Sequence, residues 1–226
     1  MKIIDVVQGS EDWRRARAGI VTASEMGNLI TPTGRVAAGK GVETYLCQIL
    51  AEKWLGGPLP PTYGGGGMEQ GHLKEPGAIG DLSTRTGRLI HPVGFVLADD
   101  GTVGCSPDGM FDDSNEGAEI KCPALHTQVK YLLAGELPAE YMPQVQASML
   151  VTGAERWTFL SYCPKLPALV LTIERNEAVL ETMQKALDAF NERLDAGYAR
   201  LIELNGGEPT RAAPKPEEDY TFTKFI

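Results

Sequence analysis

The chain has 226 residues, 42% of them hydrophobic, and a formal net charge of −9 at pH 7. That length admits one domain or two, and with no run of about 18 apolar residues a membrane span is not expected. The acidic balance disfavours nucleic-acid binding by a broad basic face but leaves room for a confined contact, because local potential outweighs the total. Cys47, Cys105, Cys122 and Cys163 are scattered, with no Cys-x-x-Cys pair. That argues against a zinc site and a disulfide framework and for buried thiols. The first residues, Met1 to Asp5, lack the shape of a signal peptide.

In chain order, Asp5 to Gly9 reads as a short extended segment. Ser10 then sits at the N-cap of a helix carrying Trp13 at N3, without a capping box, and Gly19 can end it. A second helix start falls at Thr22 or Ser24, where a hydroxyl and free N–H groups favour an anion. Arg17 could complete a phosphate clamp there, although taken alone it reads as a surface arginine beside an ordinary cap. Arg35, in a Gly/Pro-rich loop, is a weaker second candidate. Gly41 to Leu55 is a core helix with Leu46, Ile49, Leu50, Lys53 and Trp54 at helical spacing. Gly56 to Gly67 is a Pro/Gly loop. Met68 opens a helical stretch that ends near Gly87, with Pro76 placed to bend it just after Glu75.

Arg88 to Leu97 reads as one strand, turning at Asp99-Asp100-Gly101, and Val103 to Ser106 as the next. Leu125 to Ala134 is a helix. Pro138 starts another through Val151, ended by Gly153, with Tyr141, Gln144 and Ser148 on one face and Met142, Val145 and Met149 on another. Arg156 to Tyr162 and Ala168 to Glu174 are strands. Asn176 to Leu204 is a long amphipathic helix closed by Gly206-Gly207. The pattern is α+β, a mixed central sheet flanked by helices, read as a single domain over residues 1–206 with a tail over 207–226.

The stretch that organises the chain is Gly104 to Pro123. Asp108 lies in a Ser-Pro-Asp-Gly turn, and Glu119-Ile120-Lys121 begins 11 positions later. Asp112 to Gly117 reads as a hairpin turn. On the strand Ala118 to Cys122, side chains alternate, so Glu119 and Lys121 share a face while Ile120 enters a core. The hairpin returns Asp108 to Glu119, and two carboxylates then converge with one ammonium. Hard oxygen ligands select Mg²⁺ or Mn²⁺, and a metal activating water beside a lysine suits phosphodiester hydrolysis. A bare Glu-x-Lys would read as a solvated surface pair.

Pro107-Asp108 followed by Glu119-x-Lys121 resembles the signature of the PD-(D/E)xK nucleases. The longer string, with Trp13, Arg17 to Glu25, Gly71 to Glu75 and Tyr141 to Met149, resembles the lambda-type alkaline exonucleases of the YqaJ-like viral recombinase family. The resemblance implies a restriction-endonuclease-like fold and a Mg²⁺-dependent 5′→3′ exonuclease on double-stranded DNA that leaves a 3′ strand, with Mn²⁺ as a substitute. It implies Asp108, Glu119 and the Ile120 carbonyl as metal ligands, with Glu75 joining the site. The family's Gln-x-Gln motif falls on Gln144 and Gln146, and matching Tyr-Met-x-Gln points to Gln144, which with Lys121 would position the attacking water. Arg17, Ser24 and Ser106 would bind phosphate, Tyr141 would lie beside Gln144, and Met68 would lie near the DNA end. It further implies a ring-shaped homotrimer, a single-strand annealing protein as partner, and phage or prophage recombination in the cytoplasm of a bacterial host. A structure-specific repair endonuclease of the same fold and a non-catalytic DNA-end binding module are the alternatives.

Overall fold

In a computed structural model, residues 1–60 and 75–210 are described, leaving aside the side chains of residues 75 and 76. Strand β1 (Lys2–Ile4) leads to helix α1 (Glu11–Arg17), strand β2 (Val21–Thr22), a 3₁₀ turn (Ala23–Asn28) and helix α2 (Lys40–Leu55). The described chain resumes in helix α3 (Glu75–Thr86), followed by strands β3 (Ile90–His91), β4 (Phe95–Leu97), β5 (Val103–Cys105), β6 (Gly109–Phe111) and β7 (Gly117–Lys121). Helix α4 (Leu125–Ala134), a 3₁₀ turn (Ala139–Tyr141) and helix α5 (Met142–Thr152) precede strands β8 (Arg156–Ser161) and β9 (Leu169–Glu174). The long helix α6 (Glu177–Asn205) comes last.

The strands form two sheets, β1-β4-β5-β2 and β3-β6-β7-β8-β9, each mixing parallel and antiparallel pairs. The mixed α+β expectation holds, but the single strand read over Arg88 to Leu97 is two strands in different sheets. Pro92 removes a ladder donor, and a Cβ at Gly94 would lie 2.3 Å from the Val6 carbonyl oxygen, so the chain breaks and changes sheet there. The N-terminal strand lies at Lys2–Ile4, ahead of the expected Asp5 to Gly9, because Ile3 and Ile4 pair with Val96 and Phe95. The second helix expected at Thr22 or Ser24 is a 3₁₀ turn, with Thr22 held in β2 and making no side-chain cap. Ser10 caps α1 as expected, accepting the Trp13 N–H at 3.1 Å.

Apolar periodicity explains the layers. On α6, Leu180, Met183, Leu187, Phe190 and Leu194 recur at helical spacing and are buried, the last four with Tyr45, Leu46 and Ile49 of α2 and with Val96 and Val103 of the first sheet. Helix α3 covers one face of the second sheet, packing Ala78 and Leu82 on Phe111, Ala118, Ile120 and Leu160. Helix α5 is buried nearly all round, so the expected division into a polar and an apolar face fails. Ala147 and Val151 enter the first core, while Val145 and Met149 pack on Trp157 of β8. Cys105 and Cys163 are buried as expected, Cys122 is half-buried and Cys47 is exposed.

The β7–β8 pair is parallel and in register from Gly117↔Trp157 to Lys121↔Ser161. The Trp157 ring lies over Gly117, where an added Cβ would sit 2.4 Å from it. Gly117→Ala is therefore expected to lower unfolding free energy by about 1–3 kcal/mol through overpacking, read as a lower urea midpoint with an unchanged m-value.

Candidate active site

The hairpin forms as its sequence dictates. The Phe111 N–H donates to the Glu116 carbonyl at 3.0 Å across the polar turn, and the Asp108 N–H donates to the Ala118 carbonyl at 3.1 Å. The β6–β7 ladder stops at Gly109↔Ala118. One step beyond, the Asp108 carboxylate takes over as acceptor, and the Ile120 N–H donates to its Oδ2 at 2.6 Å. The N–H and C=O of one strand residue point to the same edge, so the Ile120 carbonyl faces the β6 edge beside Asp108. The structure thus brings Asp108 to the Glu119-Ile120-Lys121 strand as expected.

Glu119 is 3% exposed and pairs with Lys121 Nζ, whose side chain keeps 27% exposure. Burial alone would lower the Lys121 pKa, but the Glu119 carboxylate beside it, with Asp108, wins and holds it above the ordinary lysine value. On the same face, Lys121 Nζ lies 5.1 Å from the centroid of the Tyr141 ring. Ile120 turns the other way into the core under α3.

A second cluster forms around Arg17. Its Nη2 donates to Ser24 Oγ at 2.9 Å and to Thr22 Oγ1 at 3.5 Å, and its Nη1 donates to Ser106 Oγ at 3.3 Å. These three partners are neutral hydroxyls. Its plane lies over Trp13 at 4.1 Å, and Trp13 Nε1–H donates to Ser106 Oγ at 2.9 Å. Burial lowers the Arg17 pKa against the opposing charge of Glu25. Beneath it, Tyr45 Oη accepts the Thr22 N–H at 3.3 Å, and burial pushes the Tyr45 pKa up to about 12.

The two clusters share one connector. Ser106-Pro107-Asp108 is where the chain leaves β5 of the first sheet and enters β6 of the second, and two residues span at most about 7 Å. Gln8 Nε2 staples this connector, donating to the Pro107 carbonyl at 2.8 Å and to the Val93 carbonyl at 2.7 Å in the other crossing. Sequence reasoning missed Gln8, which carries no local signal. It also missed Trp13 as a support, although Trp13 and Arg17 lie four apart on one helix face.

The remaining expected residues sort plainly. Gln144 is half-buried one helical turn from Tyr141 on α5. Gln146 is structural, donating to the Glu174 carbonyl at 2.9 Å and accepting the Asn176 N–H at 3.0 Å. Arg35 is exposed in the loop closed by the Ile30↔Val36 bridge, where its backbone N–H is held by Thr31, and the structure does not bring it into the Arg17 cluster. Glu75 and Pro76 open the described part of α3, and the stretch from Met68 that Pro76 is expected to bend lies outside the described residues. Met68 and residues 211–226 of the tail lie outside the described residues.

The sequence matches the YqaJ-like viral recombinase domain over residues 12–155. The chain belongs to this family. ExoD, an uncharacterized protein of Escherichia coli (strain K12), is 33% identical over 78 residues, which is 32% of this chain and 90% of ExoD. The alkaline exonuclease LHK-Exo of Laribacter hongkongensis has a similar structure, with a TM-score of 0.78 at 27% identity over 87% of this chain and 98% of its own. LHK-Exo in complex with dAMP gives a TM-score of 0.77 at the same identity and coverage. The kinship with the lambda-type alkaline exonucleases is borne out, and with it the restriction-endonuclease-like fold and a nuclease role for this YqaJ-like chain.

Asp108 has a structural duty besides any chemistry. Asp108→Ala removes the acceptor of the Ile120 N–H and is expected to cost about 1–3 kcal/mol of stability. Asp108→Asn keeps an oxygen acceptor and should cost less. Chemical denaturation of the two variants checks this ordering.

Proposed function

We propose that this chain is a Mg²⁺-dependent exonuclease that degrades double-stranded DNA 5′→3′ and leaves a 3′ single strand. The observation that carries the reading is the shared connector, in which Ser106, bonded to Arg17 in a cluster with Ser24, stands two residues before the carboxylate Asp108. In hydrolysis of the first phosphodiester from a 5′ end, the water oxygen bonds phosphorus and the P–O3′ bond breaks. A proton passes to the leaving 3′ oxygen. The product is a nucleoside 5′-monophosphate, the class of ligand that dAMP represents in LHK-Exo. The shortened strand again ends in a 5′ phosphate, so each cut regenerates the group that Arg17 would grip.

The donor chemistry fits a hard divalent cation. Asp108 and Glu119 supply carboxylate oxygens and Ile120 a carbonyl, all oxygen ligands of the kind Mg²⁺ prefers. Among the described residues no group of three or more Asp, Glu, His or Cys side chains converges, and Glu75 is the proposed further ligand. When bound, Mg²⁺ supplies an activated water and offsets charge developing on the phosphate. Lys121, which pairs with Glu119 in the structure, and Gln144 would orient that water.

The assembly proposed is a homotrimeric ring enclosing the duplex, formed by a single nuclease domain over residues 1–206 with the tail over 207–226 docking on a neighbour. A chain at −9 repels DNA at long range, and a ring retains it by topology, closed by heterologous interfaces. Among the described residues no helix is long and apolar enough to cross a membrane. The proposed setting is phage or prophage recombination in a bacterial cytoplasm, with a single-strand annealing protein taking over the 3′ strand.

A linear duplex labelled at one 5′ end tests the polarity. Label should appear in mononucleotides at the earliest times, only with Mg²⁺, and a nicked circle should stay intact longer than the linear form. Earlier release from a 3′ label would refute the polarity. Arg17→Ala should slow cleavage of phosphorylated ends about 10- to 100-fold, the worth of a charge-assisted hydrogen bond, while ends bearing a hydroxyl change little. Single and combined alanine variants of Glu119 and Lys121 should be far from additive, because the groups act as a unit. Sedimentation at micromolar concentration should give about three times the 24.4 kDa chain mass, and a monomer that still degrades long duplexes processively would exclude the ring.

A further inference from the structure

We infer that Tyr141 is a positioning residue for Lys121, holding the ammonium on its ring face when a cation draws on the Glu119 carboxylate. The inference rests on the nuclease reading of the same site and adds to it a role for an aromatic side chain that touches no reacting atom.

The geometry begins in the register of the sheet. Glu119 pairs with Phe159, and Lys121 with Ser161, across the parallel β7–β8 ladder. Register partners share a face, so the fully buried Phe159 ring lies beside Glu119 on the side where Lys121 projects. The Tyr141 ring packs on Phe159, with centroids 5.5 Å apart and planes tilted by 32°. Tyr131 also packs on it in an edge arrangement, its ring 6.4 Å away at 83°. Tyr131 is itself fixed, because its hydroxyl donates to Glu140 Oε1 at 3.0 Å. The Tyr141 ring is therefore fixed by two other rings, with Lys121 Nζ 5.1 Å from its centroid. That distance lies inside the reach of a cation–π contact, which strengthens where water is excluded.

The need for a second holder is electrostatic. In the structure Lys121 pairs with Glu119, but Glu119 is also a proposed ligand of the divalent cation. A carboxylate that coordinates a divalent ion holds an ammonium less strongly, since the two cations repel. A lysine with four rotatable carbons would then lose its fixed place. The quadrupole of the Tyr141 ring attracts an ammonium without offering an anion for which the metal competes.

The test uses the full-length protein with ring fluorination at position 141. Each fluorine withdraws electron density from the ring face and leaves its shape nearly intact. In a series from Tyr141→Phe through the mono-, di- and trifluorinated phenylalanines, log kcat for mononucleotide release should fall stepwise, about tenfold from end to end. KM for duplex ends should stay within about twofold. Tyr141→Leu should fall at or below the trifluorinated member. A flat kcat across the series, or a loss seen in KM instead, would overturn the inference, and the second outcome would assign the ring to DNA stacking. A second readout does not depend on turnover. The Lys121 side-chain protons should show an upfield ring-current shift in wild type and in Tyr141→Phe, and lose it in Tyr141→Leu. Absence of that shift in wild type overturns the positioning role, whereas its presence in a protein that releases no nucleotides would overturn the nuclease reading alone.

Discussion

The Asp108 carboxylate accepting the Ile120 N–H at 2.6 Å is the contact on which the rest of the site depends. It replaces a rung that β6 can no longer supply, because the chain has already turned out of that sheet. One interaction therefore ends a strand pair and fixes a carboxylate beside Glu119. It also leaves the neighbouring carbonyl aimed along the same edge. A hydrogen bond to a carboxylate is worth more than a neutral one, and an unpaired N–H at a sheet edge inside a protein is costly. The fold and the candidate metal site thus share the Asp108 side chain.

The same economy applies to the crossing between the sheets. Ser106-Pro107-Asp108 joins β5 to β6, and Gln8 ties it to the other crossing at Val93. Trp13 and Arg17, one turn apart on α1, reach across to Ser106. A phosphate held by Arg17 and a phosphodiester attacked beside Asp108 would be neighbours because the backbone makes them so. Precision here comes from main chain and sheet register, which lose less freedom on binding than long side chains do.

Local signals made much of this legible. Alternation along Glu119-Ile120-Lys121, the polar hairpin turn and the stripe on α6 each follow from nearest-neighbour chemistry, and each is seen in the structure. The legible part of the second cluster was Arg17 and the hydroxyls, given mostly by resemblance. What failed depended on distant contacts. Arg88 to Leu97 looked like one strand because its apolar residues do not reveal that Pro92 and Gly94 sit at a change of sheet. Helix α5 looked two-faced, but two separate cores bury it from both sides. The Tyr-Met-x-Gln spacing singles out Gln144, but the structural duty of Gln146 shows only in its bonds with Glu174 and Asn176, which are distant in sequence.

The central claim is that Asp108 and Glu119 hold the cation while Lys121 serves the water. Calorimetric titration of Mn²⁺ into wild type, Asp108→Asn and Lys121→Ala separates these duties directly. Wild type and Lys121→Ala are expected to bind Mn²⁺, and Asp108→Asn to lose most of its affinity while remaining folded. Full Mn²⁺ affinity in Asp108→Asn, or its loss in Lys121→Ala alone, would contradict that division of labour.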